Sequence, residues 1–230
     1  VLRRDAAFGK QGPLTYSGDN SFTGGFTHAG GLVTLNHPRA IGLGLLSIGD
    51  PAFFAGASLV IVPGVNLSGG SALTHSILIS RDFTIGGTNA IEFAGPIVWI
   101  TNATQRSINV TNPAGITISG PMSGYGFNKT GQGLLTFNGV CSHNGPSTIS
   151  VGPLALGPLG EFTGVTTVLV GGGGALDVSA ATGFAIKPTQ ALRVENGSKV
   201  SGNITINGVL TNNALFGPAI FSNQLALAAS

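Results

Sequence analysis

GPLTYSGDNSFTGGFTHAGGLVTL (residues 12–35) and GLLTFNGVCSHNGPSTISVGPLAL (residues 133–156) align without a gap when the chain is displaced by 121 residues against itself. Nine positions are identical: Gly12/Gly133, Leu14/Leu135, Thr15/Thr136, Gly18/Gly139, Ser21/Ser142, Gly24/Gly145, Thr27/Thr148, Gly31/Gly152 and Leu35/Leu156. Tyr16 also falls on Phe137, and Val33 on Leu154. The coincidences lie on glycines and on one alternating face, which marks a repeated building unit. A period of two puts Leu14 and Tyr16, or Leu135 and Phe137, on one side of an extended strand, with Thr15 and Ser17, or Thr136 and Asn138, on the other. The inward repeat core is therefore predicted to be Leu14, Tyr16, Val33, Leu35, Leu135, Phe137, Leu154 and Leu156. The predicted turns are Gly12, Gly18, Gly24, Gly31, Gly133, Gly139, Gly145 and Gly152. Gly18 and Gly139 are expected to end their strands with a positive φ.

The rest of the chain has the same texture. Segments such as SLVIVPG, SILIS, IVWIT, SINVT, GITISG, TTVLVGG and ALRVENG are short, alternate, and are separated by Gly, Asn or Pro every eight to twelve residues. Apolar residues rarely recur at three-four spacing, so helices are not expected. An all-β chain of this kind is either a right-handed parallel β-helix or an antiparallel sandwich or jelly roll. The internal repeat favours the solenoid, because a coil cannot bury its inward row alone and gains its stability by stacking. The expected organisation is one elongated β-solenoid over residues 1–230, with repeat-like units at about 8–60 and 126–180.

Composition narrows the function. Charged residues are 8% of 230, far below the usual quarter, while glycine accounts for 38, so the surface must be built of Ser, Thr, Asn and Gly. Ten bases and eight acids are scattered along the chain, and no basic patch suits nucleic acid. No apolar run reaches the length of a membrane helix, IEFAGPIVWI being interrupted by Glu92 and Pro96. The single cysteine, Cys141, permits no internal disulfide and lacks zinc-site spacing, and is read as a small buried residue.

The order Lys, Gly, x-Leu-Thr-x-x-Gly, x-Asn-x-x-Thr-Gly-Gly, then Gly-x-Leu-x-Leu resembles the autotransporter-associated β-strand repeat of bacterial surface proteins. It is carried here by Lys10, Gly12, Leu14, Thr15, Gly18, Asn20, Thr23, Gly24, Gly25, Gly31, Val33 and Leu35. The second copy has Lys129, Gly131, Gly133, Leu135, Thr136, Gly139, Gly145, Gly152, Leu154 and Leu156, and departs where VCSHNGPST replaces the turn. The resemblance implies a right-handed parallel β-helix, exported, serving as a stalk or surface scaffold. It carries over no catalytic residues, and nothing in the chain resembles the family's membrane barrel.

Candidate chemistry is sparse. The acids Asp5, Asp19, Asp50, Asp82, Glu92, Glu161, Asp177 and Glu195 are spaced widely, so a polysaccharide-cleaving groove requires them to converge from stacked coils. Asp82 with Arg81, and Glu195 with Arg193, read as surface charges. His28, His37, His75 and His143 form no ligand pair, and His143 reads as a turn histidine in the altered stretch, where a loop site is most easily grafted. VGGGG, ending at Gly174, lacks the Lys-Ser/Thr and helix of a phosphate loop and reads as a coil corner. No catalytic, cofactor-binding or metal site is assigned, and no cofactor. Outward Thr and Asn ladders offer a surface for glycans or another protein, with Tyr125 and Trp99 as candidate exposed aromatics.

The first segment, VLRRDAAFG, is expected to cap one end with Arg3, Arg4 and Asp5, while LFGPAIFSNQLALAAS is expected to leave an open edge. The function that follows is a non-enzymatic structural protein, extracellular or at the cell surface, forming a stalk, layer or filament by head-to-tail association through its open ends. An adhesin or glycan-binding passenger is the alternative, and a polysaccharide lyase or hydrolase the third.

Overall fold

Three rows of short parallel strands, stacked one coil above another, form a β-solenoid of about 9 turns. The computed structural model describes residues 2–4, 13–49, 59–100, 105–213 and 225–227. The first face runs through Leu2–Arg4, Phe26–His28, Leu46–Ile48, Ile77–Ile79, Ile97–Trp99, Met122–Gly124, Val140–Cys141 and Glu161–Phe162. The second includes Leu14–Tyr16, Gly31–Leu35, Leu59–Pro63, Phe83–Ile85, Arg106–Val110 and Phe127–Thr130. The third includes Ile91–Phe93, Ile116–Ile118 and Leu135–Phe137. Two long strands, Ser147–Leu156 and Thr167–Asp177, run through the corner and join the second face to the third. Every described strand pair is parallel, which an antiparallel sandwich excludes.

The two sequence copies are coils of the same length. Leu14 stands beside Val33 and Tyr16 beside Leu35; Leu135 likewise stands beside Leu154 and Phe137 beside Leu156. Even one backbone bond recurs: Asn36 N–H donates to Tyr16 C=O at 2.8 Å, and Gly157 N–H to Phe137 C=O at 2.7 Å. The copies nevertheless occupy different faces, the second in the first copy and the third in the second. What repeats is the coil step, with its phase moved by one face.

Alternation explains the interior. Val33, Leu35, Leu135, Phe137, Leu154 and Leu156 are buried. Leu14 is 38% exposed and Tyr16 only half-buried, a correction to the predicted core. They share the inward row, but among the described residues Leu14–Tyr16 is the end strand of its face and has a partner on one side alone. An aromatic column climbs the interior from Phe83 through Trp99, Phe127, Phe137 and Phe162 to Phe184, with ring centroids 5.2–6.3 Å apart. Phe127 and Phe137 meet across one coil, and rings of different coils meet because coils repeat at roughly 4.8 Å, close to aromatic contact distance.

The glycines act differently from the expectation. Gly31 and Gly152 do have positive φ, at 81° and 72°, whereas Gly18, Gly24, Gly133, Gly139 and Gly145 do not; Gly12 lies outside the described residues. At Gly133, Gly139 and Gly145 the constraint is close approach: a Cβ would lie 2.4 Å from Asn112 O, 2.6 Å from Ser119 O and 2.5 Å from Gly126 N. These glycines let a corner of one coil sit directly on the corner below. The segment Gly171–Gly174 is a corner as expected, but inside the strand Thr167–Asp177 and opposite a register shift between Ile149 and Val151.

The ends also differ. Leu2–Arg4 is no cap but a strand paired with Phe26–His28, while Asp5 lies outside the described residues. Of the last segment, Leu225–Leu227 extends the ladder on Ile204–Ile206, and its remainder lies outside the described residues.

Two substitutions separate close approach from composition. Gly120→Ala puts a Cβ 2.0 Å from the Gly95 carbonyl oxygen, whereas Gly70 has nothing within 4 Å. Gly120→Ala is expected to lose at least the ~1–3 kcal/mol of an overpacked core, and Gly70→Ala to leave the denaturation midpoint nearly unchanged. Phe127→Ala, at the centre of the aromatic column, should cost about 3–5 kcal/mol by urea denaturation.

Candidate functional site

The altered stretch VCSHNGPS builds the most chemically suggestive cluster. Cys141 ends a two-residue strand beside Met122, and Ser147 opens the long strand beside Phe127. His143 sits in the turn between them, anchored by Ser142 N–H to Met122 C=O and Asn144 N–H to Gly124 C=O. Its ring points into the interior. Nδ1 lies 2.9 Å from Cys141 Sγ and Nε2 lies 2.9 Å from Ser147 Oγ, while the ring packs edge-on against Phe127 at 5.5 Å. The expected turn histidine is thus a core residue, because the strand-turn-strand corner leaves an inward position that Phe127 and Ser147 flank.

Thiol, imidazole and hydroxyl in line suggest nucleophilic chemistry, but the electrostatics oppose it. All three side chains are buried, with exposures of 0–1%. Burial pushes the Cys141 thiol well above its ordinary range, only partly offset by the backbone N–H of His143. Burial also lowers the His143 imidazole to about 4. Both groups are therefore neutral at pH 7, and no thiolate–imidazolium pair forms. The arrangement satisfied by both distances has the thiol donating to Nδ1 and Nε2–H donating to the serine oxygen, an assignment made from the network. It is a structural chain of hydrogen bonds closing a corner.

Lys129 is a second buried polar group. It alternates with Phe127 on the inward side of its strand, so the period of two already marked it. Its ammonium donates to the carbonyls of Gly131 and Val151, the latter at 2.9 Å, across the corner between second and third faces. Desolvation lowers its pKa to about 8.

The acids each have their own donor. Asp19 pairs with Arg39, Glu161 with Lys187 at 3.0 Å, and Glu195 with Arg193. Asp82 accepts the Ser107 N–H, Glu92 accepts the Gly69 N–H, and Asp177 accepts from Ser179. Asp82 is thus a rung between coils as well as a surface charge. Asp5 and Asp50 lie outside the described residues. Among the described residues no three His, Cys, Asp or Glu side chains gather as a metal site, and no helix is long and apolar enough to cross a membrane.

The outward ladder is continuous in places. Asn36 donates to Ser17 at 3.1 Å, Asn109 to Thr84 at 3.2 Å, and Ser150 to Asn128 at 2.7 Å. Trp99 does not contribute to this surface: it is 1% exposed, because its position on Ile97–Trp99 is an inward one. Tyr125 is half-buried. Sequence reasoning also missed Gln190, buried at 4%, whose amide donates to Phe162 C=O and accepts from Lys187 N–H. Nothing local in KPTQA marks that role, which depends on a strand 28 residues earlier.

No protein-family model matches the chain, and neither do characterised proteins or solved structures.

The buried imidazole sets a pH dependence. Folded His143 takes a proton only near pH 4, whereas the unfolded side chain takes one near 6.5, so unfolding binds a proton between those values. Stability is unaffected above pH 6.5 and falls as pH drops toward 4, by on the order of 3 kcal/mol at about 1.36 kcal/mol per pKa unit. His75, also lowered by burial, adds to the same trend. Urea denaturation at pH 7 and 4.5 should show a smaller acid loss in His143→Gln than in the parent chain. Lys129 acts at the other end: its folded pKa of about 8 against 10.5 unfolded makes stability rise between those values. Lys129→Met should flatten that rise.

Proposed function

We propose that this chain is a non-enzymatic structural protein of the cell surface or extracellular space, a β-solenoid scaffold that associates end to end. The observation that carries the reading is the uncovered inward row at both ends of the second face. Leu14 is 38% exposed at one end, and at the other Leu210, which continues the buried column of Val168 and Leu192, is only partly buried. Between them Val33, Ile61, Ile85, Ile108, Ile149, Val168 and Leu192 are at most 2% exposed. Among the described residues the end strands Leu14–Tyr16 and Val209–Asn212 each pair on one side, and both run in the same direction as the strands they flank. A second copy stacked head to tail continues the same parallel ladder and covers the row; such a contact is heterologous and does not close.

The rest of the molecule supports the reading. A surface with 8% charged residues and rungs of Ser, Thr and Asn offers little like-charge repulsion along a stack. The buried Cys141–His143–Ser147 chain serves the corner it closes. The resemblance to surface-protein repeats suits an exported scaffold, and low charge with polar ladders suits an exposed, protease-facing location.

Sedimentation velocity and electron microscopy over at least a hundredfold range of concentration test the assembly. Rods that lengthen with concentration are expected, and Leu14→Lys should shorten them at unchanged thermal stability. A monomer at every concentration overturns the end-to-end assembly.

A further inference from the structure

One face of the solenoid is interrupted at one level. The first-face sheet ends at Glu161–Phe162, and Ala185–Ile186 starts a separate sheet with Ile204–Ile206 and Leu225–Leu227. The same two coils remain paired on the other faces, where Val168 stands beside Leu192 and Leu176 beside Val200. They are therefore splayed on this face alone. A cleft of about 340 Å³ opens there, between residues 158–162 and residues 181–185 with Lys187. That volume lies at the lower end of the range for ligand sites.

The backbone groups on both walls face the opening. Glu161 and Thr163 donate to the preceding coil, at Gly139 and Cys141. In a parallel ladder alternate residues point to opposite sides, so the N–H and C=O of Phe162 point across the gap. On the far wall the carbonyls of Phe184 and Ile186 accept from Thr205 and Asn207 of the next coil, which turns Ala185 and Lys187 toward the gap. A single side-chain amide spans the distance. Gln190 Nε2 donates to Phe162 C=O at 3.0 Å, and Gln190 Oε1 accepts from Lys187 N–H at 2.9 Å. Two such bonds in series through one amide are what a peptide unit of an intervening strand makes. At the rung of Phe162 and Lys187 the two walls stand one amide apart, and Gln190 fills that rung.

The geometry points to a binding site for an extended peptide segment of a partner protein, which inserts between Glu161–Phe162 and Ala185–Ile186 and completes the first-face ladder. Backbone pairing supplies the affinity, as in other strand additions. Alternate side chains supply the selectivity: inward ones meet the edge-to-face pair Phe162 and Phe184, with centroids 6.2 Å apart, and must be apolar. Outward ones join a Ser/Thr surface and pass the exposed Glu161–Lys187 ion pair, which favours small polar residues.

The test uses the whole chain and a blocked, fluorescein-labelled Thr-Val-Thr-Val-Thr peptide. Fluorescence anisotropy should show saturable binding with a Kd below about 1 mM, the weak end of specific association. The same peptide with alternate amides N-methylated keeps its side chains and loses its donors; it should bind at least tenfold more weakly. Thr182→Trp, which places a large ring at the exposed mouth, should weaken the parent peptide by a similar factor. Amide exchange needs no variant: the Phe162 and Ala185 N–H groups should gain protection when the peptide is present. Absence of saturation, equal binding of the N-methylated peptide, no change in exchange at those amides, or binding of maltotriose in the peptide's place overturns the proposal. Because the cleft lies on a flank rather than at an end, failure here leaves the concentration-dependent rods untouched, and their failure leaves the peptide site untouched.

Discussion

Each coil of this chain presents a row of apolar side chains that only the coils directly above and below can cover. Everything else in the molecule accommodates that requirement. Strands must be parallel and in register, so Leu135 stands beside Leu154 and Phe137 beside Leu156. Corners must approach to within van der Waals distance of one another, so glycine is needed where a Cβ would meet the carbonyl of the coil below. Aromatic rings from successive coils then fall within contact distance and form a single column from Phe83 to Phe184.

A core defined by stacking treats polar residues strictly. An inward position carries its side chain into a dry interior, and a polar atom there costs free energy unless it finds a partner within its own coil or the next. His143 finds Cys141 and Ser147; Lys129 finds two carbonyl oxygens across a corner. Both have their pKa values moved toward the neutral form by burial. Burial thereby holds a cluster of reactive residue types in the neutral form, and its cost appears as pH sensitivity of the fold. The same logic places function at the positions where stacking is incomplete. Leu14 and Leu210 are incompletely covered at the ends of a face, and the first face parts between Phe162 and Ile186 while the other faces remain closed.

Much of this was legible in the residues. Alternation identified Val33, Leu35, Leu135, Phe137, Leu154 and Leu156 as inward, and the 121-residue match isolated a coil step that the registers reproduce. The roles of individual glycines were less legible, since a glycine needed for φ and one needed for close approach look alike in sequence. Trp99 was misplaced outward because a three-residue strand, Ile97–Trp99, can be read in either phase until its neighbours are known. Gln190 was invisible because its amide is placed by Phe162, on a strand 28 residues earlier.

By itself, then, the sequence determined an all-β chain of short alternating strands, the repeated coil unit and a surface of uncharged polar rungs. These follow from local rules: period two, turn residues and composition act within a few residues. Only the tertiary structure decided the face on which each copy lies, the inward course of His143, and the splay between Glu161–Phe162 and Ala185–Ile186. Those depend on how far the chain travels around each corner before it meets the coil below, a sum of small turns that a one-residue change in any loop resets.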